Sequence, residues 1–152
     1  MLVARKQAVA LGVKLRRQHR KVVFTNGVFD VLHRGHVTYL AKAKAFGDIL
    51  VVGLNSDKSV RRLKGPGRPL QKQGDRAAIL SALRAVDYVV VFGEETPGKL
   101  IREIKPDVLV KGADYKISEI VGASFVKSIG GSVRRVRLTP GRSSSNLLKK
   151  LG

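Results

Sequence analysis

The chain has 152 residues, 43% of them hydrophobic, which suits one core in one domain over residues 1–152. It has no cysteine, which excludes disulfides, thiol catalysis and cysteine-ligated zinc, and its three histidines (His19, His33, His36) do not make a protein-only zinc cage. The formal net charge of +19 attracts nucleic acids, anionic membranes and phosphorylated metabolites alike, so charge by itself selects no partner.

No acid precedes Asp30, whereas Arg5, Lys6, Lys14, Arg16, Arg17, Arg20 and Lys21 do. Val3, Ala4, Ala8, Leu11 and Leu15 recur at helical spacing, so residues 1–20 read as a basic amphipathic helix, not a targeting peptide. No apolar run approaches a membrane span, and the chain is expected in the cytoplasm without membrane insertion. Residues 21–152 then form the core region.

Residues 21–26 are a β-branched and aromatic run broken at Gly27, a buried first strand. Residues 36–46 predict a helix closed by Gly47, and 48–54 a second strand. From 55 to 74, Gly65, Pro66, Gly67 and Pro69 among many cations predict a loop with one helical turn. An amphipathic helix over 75–85 leads to a strand at 87–92. Thr96 and Pro97 read as the N-cap and first residue of a helix running to Lys105. Pro106 ends it, and 107–111 supply a fourth strand. A weaker helix over 118–129, with Gly122 inside it, a strand at 132–138 and a helix at 143–151 complete the chain.

Strands and helices alternate, and the strands are continuous apolar runs. That pattern predicts an α/β fold: a doubly wound, parallel, five-stranded, Rossmann-like sheet in the order 3-2-1-4-5. Strands one and four then meet at the switch point, where such sheets bind nucleotides. Residues 25–30 and 111–114 lie at their carboxyl ends and line one crevice.

The first of these segments, Thr25-Asn26-Gly27-Val28-Phe29-Asp30, runs on through Val31-Leu32 to His33-Arg34-Gly35-His36. Gly27 and Gly35 let backbone pass close to a ligand. The two histidines, three residues apart, fall on one face of a helix start. Imidazoles beside the unpaired amides of a helix N-terminus suit a phosphoryl group, because both donate to its oxygens. The plainer reading is a turn histidine and a packed core histidine.

His33-Arg34-Gly35-His36 resembles the HxGH signature of the nucleotidyltransferase superfamily, which includes cytidylyltransferases and several adenylyltransferases. Lys111-Gly112-Ala113-Asp114 resembles that family's segment after the fourth strand. Arg142-Ser143-Ser144-Ser145 resembles its hydroxyl-rich phosphate turn, with three serines where Ser-Thr-Thr is usual. Further runs are similar to the D-glycero-β-D-manno-heptose 1-phosphate adenylyltransferase (ADP-heptose synthase) family. These are Asn55-Ser56-Asp57, residues 59–65, Gly67-Arg68-Pro69, Asp75-Arg76-Ala77-Ala78 and residues 106–112. The resemblance extends from about residue 21 to 151.

It implies AMP transfer from ATP to a heptose 1-phosphate, with pyrophosphate released, for lipopolysaccharide or related glycan precursors. His33, His36 and Lys64 would be catalytic. Thr25, Asn26, Gly27, Phe29, Gly35, Lys111, Gly112, Asp114, Arg142, Ser143, Ser144 and Ser145 would hold the nucleotide. Asp30, Asn55, Arg68 and Arg76 would face the acceptor, with Arg84 a weaker candidate. Asp30 equally suits a structural hydrogen bond to the loop, and Ser143 to Ser145 equally suit a helix cap.

Magnesium is expected with ATP, with no metal site from protein alone. Many family members carry a sugar-kinase domain ahead of this one. None precedes it here, so a separate kinase and phosphatase are expected to supply the sugar phosphate, and a homo-oligomer is compatible with the sequence. The loop over 55–76 carries seven cations (Lys58, Arg61, Arg62, Lys64, Arg68, Lys72, Arg76) and is expected to be mobile and to order over bound triphosphate.

Two other readings stand beside this one. A CTP-dependent enzyme such as a glycerol-3-phosphate cytidylyltransferase would share the phosphate chemistry. A non-enzymatic nucleic-acid-binding domain would use the charge, but the strands lack the aromatics of a base-reading platform.

Overall fold

The computed structural model describes residues 1–138 and 144–151, with backbone alone for 144, 145 and 151. Helix α1 (Arg5–Arg17) precedes β1 (Val22–Gly27), α2 (Arg34–Lys44) and β2 (Ile49–Asn55). Helices α3 (Asp57–Lys64) and α4 (Gln73–Ser81) lead to β3 (Tyr88–Phe92), α5 (Gly98–Ile104) and β4 (Val108–Gly112). A 3-10 turn (Ile117–Glu119), α6 (Ala123–Ser128), β5 (Ser132–Val136) and α7 (Ser144–Leu151) follow.

The five strands form one parallel sheet in the order β3-β2-β1-β4-β5, as the alternation of apolar runs predicts. All seven residues of β2 are buried, and Val22, Val23, Phe24 and Thr25 of β1 are too. Strands hidden on both faces cannot alternate apolar with polar residues. One core layer holds Val22, Phe24, Val51, Val90 and Leu109 against α1, α5 and α6. The other holds Val23, Leu50, Val52, Val89 and Val110 against α2 and α4.

The basic N-terminal helix belongs to the first layer. Ala8, Gly12 and Leu15 form its buried stripe, and Arg5 spans to Glu94 and Glu103, each at 2.5 Å. Among the described residues, no helix is long and apolar enough to cross a membrane.

Several element boundaries shift by a few residues from the sequence reading, α4 for example ending at Ser81 and not at 85, and three differences have a visible cause. Residues 57–64 form a full helix, not one turn in a loop, because Ser56 caps it by accepting from the Ser59 amide at 3.2 Å. Helix α2 starts two residues early, at Arg34, for a reason that belongs to the site. The helix expected over 118–129 splits at Gly122, which has φ +86° and cannot continue a right-handed helix. A Cβ there would stand 2.8 Å from Ile101 Cδ1.

Candidate functional site

The ladder between β1 and β2 runs through six residue pairs, but β1 and β4 pair only at Val23–Val108 and Phe24–Leu109. Beyond Phe24 the two central strands part at their carboxyl ends. Tyr39, from the inner face of α2, spans the gap. Its hydroxyl donates to the Val110 carbonyl at 3.2 Å and accepts from Thr25 Oγ1 at 2.8 Å. Burial pushes the phenol up to about 12, with the Thr25 bond opposing, so it remains a donor at neutral pH. Further out, Lys111 Nζ reaches the Asn26 carbonyl at 3.5 Å and stands 5.2 Å from the Tyr115 ring centroid. Burial holds the Lys111 ammonium below its ordinary value, and nearby Asp114 opposes that shift.

A cavity of about 560 Å³ opens over this parting. Its floor is residues 26–30 and the start of α2. His33 is the N-cap of α2: its Nδ1 accepts from the Gly35 amide at 3.1 Å, while the His33 amide donates to His36 Nδ1 at 3.4 Å. The two imidazoles thus perform the service of a capping box, which is why the helix begins at Arg34. With each Nδ1 accepting, the ring hydrogen of each neutral imidazole lies on Nε2.

The rings lie 3.9 Å apart between centroids, and Phe29 meets His36 edge-on at 5.3 Å. Burial first, then His33 and Lys64, holds the His36 pKa down to about 4, so its ring is neutral at pH 7. Lys64, on the exposed end of α3, is near enough for its charge to be felt there, and it lines the same cavity.

Phe29 adopts φ +48°, a left-handed conformation rare for an aromatic residue. That turn lays its ring over Gly27, where a Cβ would stand 2.9 Å from Phe29 Cε2, and sends Asp30 inward. A Cβ at Gly112 would overlap the Asp114 carboxylate. A side chain at either strand end would therefore have to displace a neighbour, the Phe29 ring at 27 and the Asp114 carboxylate at 112.

Several expected site residues lie together here. Asn26, Gly27, Phe29, His33, Gly35, His36, Lys64, Arg68, Lys111, Gly112 and Asp114 all line the cavity. Arg142 and Ser143 lie outside the described residues. Ser144 and Ser145 open α7 in the backbone, and nothing further is described of them.

Four expected site residues make contacts within the fold, and two of them, Asp30 and Asn55, also line the cavity. Asp30 lines the cavity, but its carboxylate accepts from Arg68 Nε at 2.7 Å, from the Leu70 amide and from the Gln71 amide at 2.9 Å. Burial opposes ionisation, and those three donors outweigh it, holding the carboxyl below its ordinary range. Asp30 is thus a clamp on the loop, not an acceptor contact. Arg76 is 1% exposed and spent on Gln71 O, Val28 O, Asn55 O and Asp57 Oδ1, so it does not reach a substrate phosphate. Asn55 lines the cavity and donates its side-chain amide to Ser59 Oγ at 2.9 Å. Thr25 is fully buried under Tyr39.

These contacts also revise the expected loop. Asp30 and Asp57 neutralise Arg68 and Arg76, two of its seven cations, and residues 68–71 are tied to β1's end. The stretch around Gly65 and Gly67 stands in open space, where a Cβ would meet nothing within 4 Å, and is held by backbone bonds from the Gly65 amide to Arg61 O and from the Arg68 amide to Gly65 O.

The sequence reading also passed over Tyr39, Tyr115, Glu95 and Leu138, all of which line the cavity. A signal existed for Tyr39, which falls three residues after His36 on one helix face. Arg76 likewise shares the core-facing stripe of α4 with Ala77 and Leu80, a place where an arginine must be internally paired.

Comparison with known proteins agrees with this geometry. The Cytidylyltransferase-like family model matches residues 24–147. The Bifunctional protein HldE of Wolinella succinogenes is 56% identical over 150 residues, 99% of this chain and 31% of that protein. HldE of Helicobacter pylori is 55% identical over 137 residues, 90% of this chain and 29% of that one. The chain therefore spans about a third of the length of these curated relatives, and the first match includes the basic N-terminal helix, beyond the region where the sequence alone suggested a likeness.

The crystal structure of the lipopolysaccharide core biosynthesis protein from Thermoplasma volcanium superposes with TM-score 0.64 at 36% identity, covering 79% of this chain and 97% of that one. A pantoate-beta-alanine ligase from Francisella tularensis shares the fold at TM-score 0.68 and 18% identity, over 100% of this chain and 73% of that one. With its HxGH turn at the parting of β1 and β4 and a family match over most of its length, the chain belongs to the cytidylyltransferase-like family.

Proposed function

We propose that this chain is an adenylyltransferase that moves AMP from ATP to a sugar 1-phosphate, D-glycero-β-D-manno-heptose 1-phosphate or its anomer, releasing pyrophosphate. The observation that carries the reading is the pair of imidazoles fixed at the start of α2 with their hydrogens on Nε2. The HldE relatives and the lipopolysaccharide biosynthesis structure support the choice of sugar.

In the reaction, an oxygen of the sugar phosphate attacks the α-phosphorus of ATP in line. The bond from that phosphorus to the bridging oxygen breaks, and pyrophosphate departs with the electron pair. A phosphate monoester is already a nucleophile at neutral pH, so no general base is required. Charge grows on the equatorial and leaving oxygens, and His36 Nε2–H, His33 and the Lys64 ammonium are positioned to oppose it. Donors fixed beforehand lose nothing to reorganisation in the transition state. Asn26, Gly27, Gly112 and Asp114 would hold the nucleoside, with Ser143 to Ser145 toward its outer phosphates.

Magnesium would arrive with ATP and neutralise the triphosphate. Asp30, the lining carboxylate nearest the imidazoles in the chain, is committed to its three donors, so phosphate oxygens and water would be the chief ligands of the magnesium. Among the described residues there is no group of three or more metal-binding side chains.

The test is pyrophosphate release from a matrix of ATP, CTP, GTP and UTP against heptose 1-phosphates, hexose 1-phosphates and glycerol 3-phosphate. Release with ATP and a heptose 1-phosphate is expected. Preference for CTP with glycerol 3-phosphate would replace the reading with the cytidylyltransferase one.

A further inference from the structure

The cavity carries charges of both signs. Cationic or proton-donating groups line it at His33, His36, Lys64, Arg68 and Lys111. Two carboxylates line it as well, Asp114 after β4 and Glu95 after β3, strands that β1 and β2 separate in the sheet. The third carboxylate on the wall, Asp30, is consumed by its three donors. In a chain of net charge +19 with 11 acidic residues, two exposed carboxylates brought to one cavity from separated strand ends call for a ligand of matching pattern.

Glu95 is presented on a braced loop. Ser59 Oγ donates to the Glu94 carbonyl at 3.2 Å, Arg62 donates to the Gly93 carbonyl, and the Glu94 side chain is bound to Arg5. Pro97, two residues after Glu95, is buried. Yet among the described residues the Glu95 carboxylate itself has no hydrogen-bond or ion-pair partner. The fold holds the backbone of this turn from α3 and its Glu94 side chain from α1, and leaves Glu95 lining the cavity.

We infer that Glu95 is a specificity-determining residue that accepts hydrogen bonds from hydroxyl groups of the acceptor, and so selects a polyhydroxylated phosphate ester over a simple one. This rests on the proposed function above. Triphosphate and acceptor phosphate meet the cationic groups, the ribose hydroxyls lie toward Asp114, and the acceptor's carbon skeleton is left toward Glu95. A carboxylate repels phosphate and has two oxygens suited to adjacent hydroxyl donors. An ammonium-bearing acceptor is disfavoured, because Lys64 and Arg68 in the cavity and Arg62 and Lys99 beside Glu95 hold the local field positive.

The experiment measures KM for a heptose 1-phosphate, KM for ATP, and the inhibition constant of methyl phosphate competing with the sugar phosphate. It does so in the wild type, Glu95→Gln and Glu95→Ala. A hydrogen bond to a charged acceptor contributes about ten- to hundredfold in binding, so Glu95→Ala should raise the sugar-phosphate KM roughly tenfold or more. Glu95→Gln, which keeps one acceptor oxygen, should fall between. Methyl phosphate has no hydroxyl, so its inhibition constant should not change, nor should KM for ATP. An unchanged sugar-phosphate KM in active Glu95→Ala overturns the inference alone. So does a parallel rise in KM and in the methyl phosphate constant, which would mean that Glu95 acts on the phosphate field. Wild-type protein that releases pyrophosphate from no pair of substrates overturns the proposed function, and this inference with it.

Discussion

Arg68 Nε donates to Asp30 Oδ2 at 2.7 Å, joining the turn after β1 to the loop before α4. The Asp30 side chain is 1% exposed, and the Leu70 and Gln71 amides complete its coordination. This one carboxylate therefore fixes the floor of the cavity to its rim. Removing it leaves an arginine and two amides without partners in a buried place.

Asp30→Ala is expected to cost about 3 kcal/mol of stability, the scale on which breaking a buried ion pair is felt. Denaturant unfolding measures it, and residues 68–71 should lose hydrogen-exchange protection together. The folded carboxyl lies below its ordinary range, so its contribution is present above about pH 4 and is lost as pH falls through the folded value. A loss under about 1 kcal/mol would mean the clamp is ornamental.

His36→Ala should lower turnover about a hundredfold or more, as removal of one preorganised transition-state donor does elsewhere. Its Nδ1 also accepts from the His33 amide, so a cap-sized loss of about 1 kcal/mol in stability should accompany it. Steady-state kinetics on folded protein decide the matter. A variant keeping more than about a third of the wild-type rate removes His36 from the chemistry.

Lys64→Ala should reduce kcat more than it raises KM for ATP, because a point charge closing on the α-phosphate acts chiefly in the transition state. Lys64 ends α3 just before Gly65, at the edge of the open stretch around Gly65 and Gly67. Hydrogen exchange with ATP and magnesium should gain protection near residues 64–67, with little change in the capped body of α3. Normal turnover in Lys64→Ala together with unaltered exchange would falsify a catalytic part for this stretch.

The His36 ring should titrate near pH 4 without ligand, since burial, His33 and Lys64 all disfavour its charge. Whatever stability the neutral ring brings is whole above about pH 6.5 and is lost as pH falls through about 4. A bound triphosphate adds negative charge beside the ring, so a non-hydrolysable ATP analogue with magnesium should raise the value. Imidazole NMR titration with and without the analogue reads both. An ordinary histidine value in the free protein contradicts the burial seen here.

Legibility from the sequence followed the range of the forces involved. Continuous apolar runs such as residues 49–54 fixed the strands, because a strand buried on both faces must be apolar throughout. Connection rules then gave the sheet order, and the HxGH spacing placed two imidazoles at one helix start.

What the sequence could not decide was how each polar side chain is spent. Asp30 and Arg76 carry the charges of ligand contacts, but their partners lie at Arg68, Leu70 and Gln71, and at Val28 and Asn55, distant in the chain. Glu95 is one acid among 11 in the sequence. Only the folded chain consumes its neighbour Glu94 on Arg5 and leaves Glu95 at the cavity mouth. The physical reason is that burying a charge is costly unless it is paired, so packing decides which polar groups must satisfy the fold and which remain for a ligand.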